Sequence, residues 1–275
     1  MAVLGPAAVA LLRFAAASAA LLLLQGFRSG AGKIERRDVP RLLFLGLLVV
    51  PINQGLFLFG LAGSTPSHAS LLYALTPLAV LLLARRILHE ANVWPKLAGV
   101  LVAFVGVAII LLERGLAKEV SVLRGDLLIL AAVFAWALYT VLSKPLVERY
   151  GPMAVTTWAI VSGTLLCAPA FFIPGAIPPL RSIAPAAWAG IAYLSIGTSV
   201  VAYPLWMYAL RQLEASKVAI ATNTQPILTA ILSWIILGER FTPGFYVGAA
   251  LILAGVAWVE TRRGGITMGR LWNRS

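Results

Sequence analysis

Apolar runs of about 20 residues recur along this 275-residue chain, and each is bounded by charges, proline or glycine. An α-helix needs a run of this length to cross a bilayer. Apolar residues make up 60% of the sequence and charged residues 12%, and segments such as 101–112 lack the polar face of a soluble helix. The predicted fold class is therefore an all-α polytopic membrane protein. Nine spans are predicted, at residues 5–26, 41–62, 65–86, 95–113, 124–144, 152–173, 186–210, 215–237 and 243–260.

Two parts of the chain repeat each other at a constant separation of 149 residues. The matched features are Thr76-Pro77 with Gln225-Pro226, Glu90 with Glu239, Gly99 with Gly248, and Gly106 with Gly255. Four matches at one separation indicate an internal duplication. Internal repeats in a membrane protein are typical of transporters.

The second copy begins with a helix that has no partner in the first copy. Gly5-Pro6 matches Gly151-Pro152, but only the second of these motifs is preceded by a span, at 124–144. We therefore expect a ten-helix design of two five-helix repeats whose first helix is absent from these residues. Truncation, a misplaced start and disorder are open explanations, and a natural nine-helix protein is the alternative. The predicted divisions are a first repeat at 1–114, a second at 115–264 and a basic cytoplasmic tail at 265–275.

The net charge of +12 is distributed unevenly between the two sides of the predicted membrane. With the C-terminus placed in the cytoplasm, 16 of the 22 basic residues fall in cytoplasmic segments and five in outer loops. This split follows the positive-inside rule and favours lipid headgroups, not nucleic acid, as partners. Five helices per repeat is an odd number, so the second copy enters the membrane from the opposite side. The prediction is a pair of inverted repeats that transport by alternating access.

The order of these motifs resembles the drug/metabolite transporter superfamily, and within it the EamA branch. The residues that carry the resemblance are Pro6 with Leu12-Arg13-Phe14, then Ala74-Leu75-Thr76-Pro77, and finally Gly238-Glu239-Arg240 followed by Gly248 and Gly255. The first repeat departs from the pattern, with His89-Glu90 where a glycine-glutamate pair is expected. The resemblance covers residues 1–260 and implies ten helices, a central cavity, and export or exchange of metabolites such as amino acids. It places the chain in a bacterial inner membrane with the C-terminus in the cytoplasm.

Arg13 is the one formal charge within a predicted span, and a buried guanidinium must be paired. It is interpreted as a ligand for a substrate carboxylate, and the alternative is that it ties helices together or reaches an interface. The other predicted substrate-binding residues are polar or aromatic and lie within spans: Asn53, Gln54, His68, Ser70, Tyr73, Trp136, Tyr139, Trp158, Tyr203, Trp206, Asn223 and Gln225. We expect about half of the polar and aromatic span residues to contact the cavity, and the rest to bond helices together or anchor at interfaces.

Pro77 and Pro226 occupy equivalent positions in the two repeats and are predicted hinges. Each removes a backbone hydrogen bond, and paired breaks in corresponding helices point to a site near the middle of the membrane. Ser70 and Tyr73, like Trp136 and Tyr139, are three residues apart and share a helix face, which suits a flat amphipathic solute.

None of the ten acidic residues lies in the middle of a predicted span; Asp126, for example, is placed at the end of one. The expected mode is therefore facilitative transport of small amphipathic metabolites, with amino acids, including aromatic ones, as first candidates. The alternative is a proton-coupled multidrug exporter whose acidic residue lies in the first helix. An intramembrane enzyme is not expected, since the two histidines lie at span ends and no HExxH or GxSxG motif occurs. No cofactor or metal is expected, and the chain is predicted to be a monomer or weak homodimer.

Overall fold

In the computed structural model, every regular element among the described residues is helical. The structure describes residues 4–26, 34–89, 97–116, 120–173, 175–219, 222, 225–238 and 240–261. The α-helices are α1 (Pro6–Gly26), α2 (Val39–Leu47), α3 (Gly55–Ala62), α4 (Pro66–Tyr73), α5 (Thr76–Leu88), α6 (Leu97–Leu116), α7 (Val120–Tyr150), α8 (Pro152–Cys167), α9 (Pro185–Ala192), α10 (Tyr203–Gln212), α11 (Ala215–Val218), α12 (Gln225–Leu237) and α13 (Pro243–Thr261).

Within the described residues, six helical stretches are long and apolar enough to cross a membrane: Pro6–Gly26, Arg36–Ala62, Pro66–Leu88, Leu123–Tyr150, Pro152–Ala170 and Pro185–Gln212. They correspond to six of the nine predicted spans, so the chain is a polytopic helical membrane protein. The other three predicted spans coincide with α6, with α11 and α12 together, and with α13. The total of nine spans stays a prediction.

Two π-helical segments interrupt the regular helices, one in each of the two predicted repeats. The first π segment (Leu48–Gln54) contains Pro51 and joins α2 to α3. The second π segment (Tyr193–Ala202) joins α9 to α10 and ends just before Pro204. A π-helical turn has a wider backbone than an α-helix and redirects the side chains that follow. Both segments contribute side chains to the interior of the bundle.

Two helices are broken at positions 149 residues apart. The first break separates α4 from α5, which begins at Thr76, and the second separates α11 from α12, which begins at Gln225. In each case a proline follows as the second residue of the new helix, where its missing N–H costs no helical hydrogen bond. α4 packs against α12, and α11 packs against α5. The predicted interruption at Pro77 is therefore present as a break in the helix.

Glycines allow the closest helix crossings. A Cβ on Gly106 of α6 would lie 2.7 Å from the carbonyl of Gly248 of α13, and one on Gly255 would meet the carbonyl of Gly99. The pair α2 and α8 shows the same kind of contact, because a Cβ on Gly163 would meet the carbonyl of Gly46. Small residues at such crossings bring backbones into contact and replace the hydrophobic driving force that helices lack in lipid.

One end of the bundle is closed by polar contacts as well as by packing. The Lys144 ammonium donates to the carbonyl of Leu210, at 2.9 Å, and to that of Leu213, at 2.6 Å, where α10 ends. Arg149 and Tyr150, at the end of α7, donate to the Asp38 carboxylate at 2.8 and 2.7 Å. These bonds tie α7 to α10 and to the segment before α2. The predicted end of a span at 144 is too early, because α7 continues through Pro145 to Tyr150.

The Gly163 crossing gives a prediction on stability. Gly163→Ala should lower the free energy of unfolding by about 1–3 kcal/mol, because its methyl group overpacks the contact between α8 and α2. Gly190→Ala is the matched control, since a Cβ there meets nothing within 4 Å, and it should stabilise α9 by roughly 0.5–1 kcal/mol. Thermal unfolding of the purified variants in one detergent measures both. Equal melting temperatures for the two variants would contradict the close contact.

Candidate functional site

A cavity of about 470 Å³ lies inside the bundle between α1, α3, α4, α7, α10, α12 and both π segments. It reaches the end of the bundle that carries the turn between α3 and α4, because Leu61 and Pro66 line it. The opposite end is filled by core residues such as Met207 and Leu210, both fully buried. The cavity is thus closed at the end that carries Lys144. Its volume falls in the usual range for small-molecule sites.

The Arg13 guanidinium is the fixed positive charge of this cavity. Its side chain is only 5% exposed, and it donates to Gln54 Oε1 at 2.8 Å and to Thr198 Oγ1 at 2.7 Å. Both partners are neutral, and no ion pair of Arg13 occurs among the described residues. Its Nε atom is buried and has no acceptor within the described part of the chain. The guanidinium therefore retains donor capacity and an uncompensated charge, which a ligand anion would satisfy.

A chain of hydrogen bonds runs from Arg13 across the cavity wall. Gln54 accepts from Arg13 and donates through Nε2 to Asn53 Oδ1 at 2.8 Å. Asn53 in turn donates to the Tyr73 hydroxyl oxygen at 2.9 Å and to the carbonyl of Ala132 at 2.7 Å. The first π segment supplies both amides, α4 supplies Tyr73, and α7 supplies the carbonyl. Because Tyr73 accepts a bond, its own proton can be donated to a solute in the cavity.

Aromatic rings form another part of the wall. Trp136 of α7 lies 5.3 Å from Tyr203 and 5.6 Å from Trp206, measured between ring centroids. The Trp206 indole N–H donates to Thr140 Oγ1 at 3.3 Å, which holds its ring in place. Tyr139 lies behind Trp136, with 5.4 Å between the rings, and is fully buried. Ring separations of this size are typical of favourable aromatic pairs. The ring plane of Trp136 is tilted by 41° to that of Tyr203 and by 47° to that of Trp206, so the wall is an apolar aromatic surface that does not lie in one plane.

The structure brings nine of the thirteen predicted substrate-binding residues to the cavity: Arg13, Asn53, Gln54, Ser70, Tyr73, Trp136, Tyr203, Trp206 and Gln225. Three others lie elsewhere. Tyr139 supports Trp136 from behind, His68 is buried beside Asp126 and Phe245, and Trp158 is 40% exposed on α8. Asn223 lies outside the described residues. Pro226 belongs to α12, but its side chain is not among those described.

The predicted set omitted several lining residues that follow helical spacing. Phe57 and Leu61 lie three and seven positions after Gln54, and Leu194 and Ala202 lie four positions on either side of Thr198. Thr229 is four positions after Gln225. Extending each candidate by three or four residues along the chain would have found Phe57, Ala202 and Thr229, but not Leu61 or Leu194. The helical spacing of the sequence was therefore a signal for part of the cavity lining.

Asp126 lies near the end of a spanning stretch, Leu123–Tyr150, where the sequence placed it, and the structure adds that it is inside the bundle. Its side chain is fully buried. The Ser64 hydroxyl donates to Oδ1, and Nδ1 of His68 lies 3.6 Å from Oδ2. The expectation of facilitative transport depended on the absence of a carboxylate from the middle of a span, and it stays a prediction. The burial of Asp126 is due to the turn between α3 and α4, which folds over the start of α7.

Comparison with known proteins identifies the relatives of this chain. The profile of the EamA-like transporter family matches residues 1–112 and 123–261. A Streptantibioticus cattleyicolor protein named probable terminal-alkyne amino-acid exporter is 30% identical over 266 residues, which cover 97% of this chain and 86% of that protein. The Bacillus subtilis (strain 168) protein named uncharacterized transporter YyaM is 29% identical over 254 residues, covering 91% and 83%. One crystal structure superposes with a TM-score of 0.68 at 18% identity, covering 95% of this chain and 90% of that chain, which supports the fold.

The hydrogen-bond chain predicts that Asn53 and Tyr73 differ in their contribution to stability. Asn53→Leu removes two donated bonds and leaves the Gln54 Nε2 donor without its acceptor, so the free energy of unfolding should fall by about 1–3 kcal/mol. Tyr73→Phe removes one acceptor while Asn53 keeps Ala132, so its effect should be about 0.5–1.5 kcal/mol. Thermal unfolding in detergent measures both. A larger loss of stability for Tyr73→Phe than for Asn53→Leu would show that Asn53 is not the central residue of this row of hydrogen bonds.

Proposed function

The chain belongs to the EamA-like transporter family, and from this premise we propose that it exports or exchanges small amphipathic metabolites through the central cavity. The first candidates are amino acids, including aromatic ones. The family is one of membrane transporters, so the chain is a multi-pass membrane transporter and not an enzyme. The proposal concerns the substrate class, the binding residues and the mechanism.

The observation that carries the proposal is the buried Arg13 guanidinium with its unsatisfied Nε. An amino-acid carboxylate placed beside it would supply the missing negative charge and accept charge-assisted hydrogen bonds. The Tyr73 hydroxyl provides a further donor on the same wall. A fixed cation in a poorly hydrated cavity repels other cations, which argues against cationic drugs as the main substrates. The alternative of a multidrug exporter is thereby disfavoured.

The aromatic wall supports an amphipathic substrate. Trp136, Tyr203 and Trp206 present apolar surface at a site whose polar donors come from Arg13 and Tyr73. An amino acid would place its carboxylate at the guanidinium and its side chain against the rings. The relative named probable terminal-alkyne amino-acid exporter is consistent with this substrate class. Aromatic and large apolar side chains should bind best, because they cover the most ring surface.

Several contacts support two inverted repeats that alternate between opposite openings. The break before Thr76 and the break before Gln225 are 149 residues apart, and the pairings of α4 with α12 and of α11 with α5 exchange under this shift. The contact of Gly99 with Gly255 and that of Gly106 with Gly248 exchange in the same way.

The second helices of the two proposed repeats, α1 and α8, meet as well. Ser18 donates to Thr164 Oγ1 at 2.9 Å, and these residues are 146 positions apart, like Gly5 and Gly151. Contact between equivalent residues is what a two-fold axis in the membrane plane requires. We propose the ten-helix, two-repeat design and its nine visible spans on this basis.

The distribution of charge gives the proposed orientation. With the C-terminus in the cytoplasm of a bacterial cell, the end that carries Lys144 and Arg149 lies inside, where most basic residues fall. The cavity then opens outward, at the turn between α3 and α4. The inner end is closed by the bonds of Lys144 to α10 and by the packing of α11 on α5. Opening inward would require these contacts to separate.

The experiment that tests the proposed function is uptake by proteoliposomes that contain the purified chain. A panel of amino acids is compared with the matching amines, which lack the carboxylate. Arg13→Gln should reduce the apparent affinity for the amino acids by about ten- to a hundredfold, the cost of losing bonds to a charged group, and should leave competition by the amines unchanged.

Two outcomes would contradict this assignment. If Arg13 only ties helices together, Arg13→Gln will weaken the amino acid and the amine equally. If no amino acid of the panel is transported by the unmodified chain, the proposed substrate class is wrong. The melting temperature of each variant separates a loss of binding from a loss of folding.

Trp206 tests the role of the aromatic wall. Trp206→Leu should lower the preference for tryptophan over leucine by about two- to tenfold, because an aromatic pair contributes about 0.5–1.5 kcal/mol beyond its buried area. Competition of each amino acid against a common labelled substrate measures that ratio. Trp234→Leu is the matched control, since Trp234 is 66% exposed on α12 and does not line the cavity. An unchanged ratio in Trp206→Leu would refute the proposed contact.

A further inference from the structure

We propose that a groove at the inner end of the bundle binds one anionic phospholipid of the cytoplasmic leaflet. The groove has a volume of about 550 Å³ and lies between α2, the end of α5 and α7. It is separate from the central cavity, with which it shares no lining residue among those described. The inference takes from the proposed function only the orientation of the chain, and it does not depend on the substrate.

The walls of the groove are apolar except at one arginine. The lining residues are Pro40, Arg41, Phe44 and Leu45 of α2, Ile87 of α5, and Val141, Leu142, Pro145 and Leu146 of α7. α2 packs mainly on α8, whereas α5 packs on α7 and α11, so α2 and α5 leave a gap over α7. Phe44 is 44% exposed and Ile87 38%, although both lie in stretches long and apolar enough to cross the membrane. The groove therefore faces lipid.

The polarity of the groove changes with depth in the membrane. Arg41 and Pro145 each lie five positions from the inner end of their spanning stretches. Leu45 and Val141 lie four positions farther in, which is about 6 Å along a helix. The guanidinium is thus nearest the cytoplasm, and apolar side chains continue from it toward the middle of the membrane. A phospholipid of the cytoplasmic leaflet has the same order, with its phosphate outermost and its acyl chains inside.

The Arg41 guanidinium retains donors for a phosphate. Its side chain is 71% exposed, and one of its nitrogens lies 3.3 Å from Oδ1 of Asp38. The other oxygen of this carboxylate already accepts bonds from Arg149 and Tyr150, at 2.8 and 2.7 Å. An exposed ion pair such as that of Arg41 with Asp38 contributes little to stability. Because a guanidinium can bind a phosphate through two parallel hydrogen bonds, a lipid phosphate is the stronger partner.

The charges around the groove favour an anion. Arg86 is exposed and precedes Ile87 in the last turn of α5. Among the described residues of α2, α5, α7 and the segment before α2, the acidic side chains at this end are Glu35, Asp38 and Glu148, and each is paired with an arginine or a lysine. An incoming anion therefore meets a positive surface. Basic pockets between membrane helices on the cytoplasmic side are typical sites for anionic headgroups.

The same features argue against other occupants of the groove. A zwitterionic lipid would cover the apolar walls equally well, but it would gain less from the positive charge of Arg41. A symmetric dimer formed through this groove would bring two copies of Arg41 to one interface. A free phosphate would bind the guanidinium and leave the apolar walls uncovered. An anionic phospholipid satisfies both parts of the groove.

The test measures the lipid that stays bound to the purified full chain. The protein in detergent is mixed with equal amounts of phosphatidylglycerol and phosphatidylcholine that carry the same acyl chains. Native mass spectrometry gives the ratio of the two forms of the protein with one lipid bound. This ratio should favour phosphatidylglycerol by about fivefold, the effect of one arginine near a membrane surface. Glycerol phosphate, which has no acyl chains, should not displace the bound lipid.

Variants separate the headgroup contact from the apolar contact. Arg41→Gln should lower the ratio to about one, whereas Arg41→Lys keeps the charge and should retain most of the preference. Arg211→Gln is the matched control, because Arg211 is exposed at the end of α10 and does not line the groove. Ile87→Trp fills the groove and should reduce the binding of both lipids. Leu205→Trp, at a side chain that is 61% exposed on α10, should leave the binding of both unchanged.

Three results would overturn the proposal. A ratio near one in the unmodified chain would show that the headgroup is not recognised. Equal losses in Arg41→Gln and Arg211→Gln would assign the preference to the general charge of this end. A dimer of the unmodified chain that is lost in Ile87→Trp would assign the groove to a second copy.

Two further measurements keep the outcomes separate. Gel filtration and thermal unfolding show whether each variant is folded and whether it is a monomer. The lipid assay contains no amino acid, so it is independent of the uptake experiment. Lipid preference without amino-acid uptake would refute the substrate class and leave the lipid groove standing, whereas uptake without lipid preference would do the reverse.

Discussion

The buried charge of Arg13 is the constraint on which the interior of this protein depends. The Ser195 hydroxyl of the second π segment donates to the Arg13 backbone carbonyl. A guanidinium inside an apolar bundle must be surrounded by acceptors, and two are present here: Gln54 of the first π segment and Thr198 of the second. Removing either of them would leave a charge more poorly solvated than before. Both π segments are therefore held against α1 by polar bonds as well as by packing. The space that remains beside the guanidinium is the cavity.

A second constraint is that no backbone group can be left without a partner inside a membrane. Breaks and π segments free carbonyls and N–H groups, so each interruption needs a compensating bond. In the second π segment, the Ser199 hydroxyl supplies one by donating to the carbonyl of Leu194 at 3.3 Å. Irregular backbone is accordingly found where it lines the interior. The helix breaks and π segments thus lie at the proposed binding cavity.

Much of the fold could be predicted from the sequence, because long apolar runs have few alternatives to membrane helices. The break before Pro77 was also predictable, since proline is disfavoured within a helix and tolerated in its first turn. It was harder to predict which face of a helix lines the cavity. Trp136 and Tyr139 share one face of α7, yet only Trp136 lines the cavity, because Tyr139 is covered by neighbouring helices. Trp158, on α8, is 40% exposed instead of facing inward.

The burial of Asp126 could not have been predicted from the sequence. Its position near the start of a span is equally compatible with solvation by water and with burial. The outcome depends on a turn 62 residues earlier in the chain, where Ser64 reaches its carboxylate. Long-range contacts of this kind leave no periodic signal. The same is true of the π segments, whose extra residue per turn follows from packing and from proline together.

The hydrogen bonds from Arg13 through Gln54 and Asn53 to Tyr73 all run in one direction. A group that accepts a bond becomes a better donor, so each link polarises the next, beginning from a full positive charge. The Tyr73 hydroxyl at the far end is consequently a stronger donor than an isolated phenol. The positive charge of Arg13 therefore polarises a row of neutral groups that extends from the guanidinium to Tyr73. An oxygen-bearing solute would encounter two electropositive sites, one at each end of the chain.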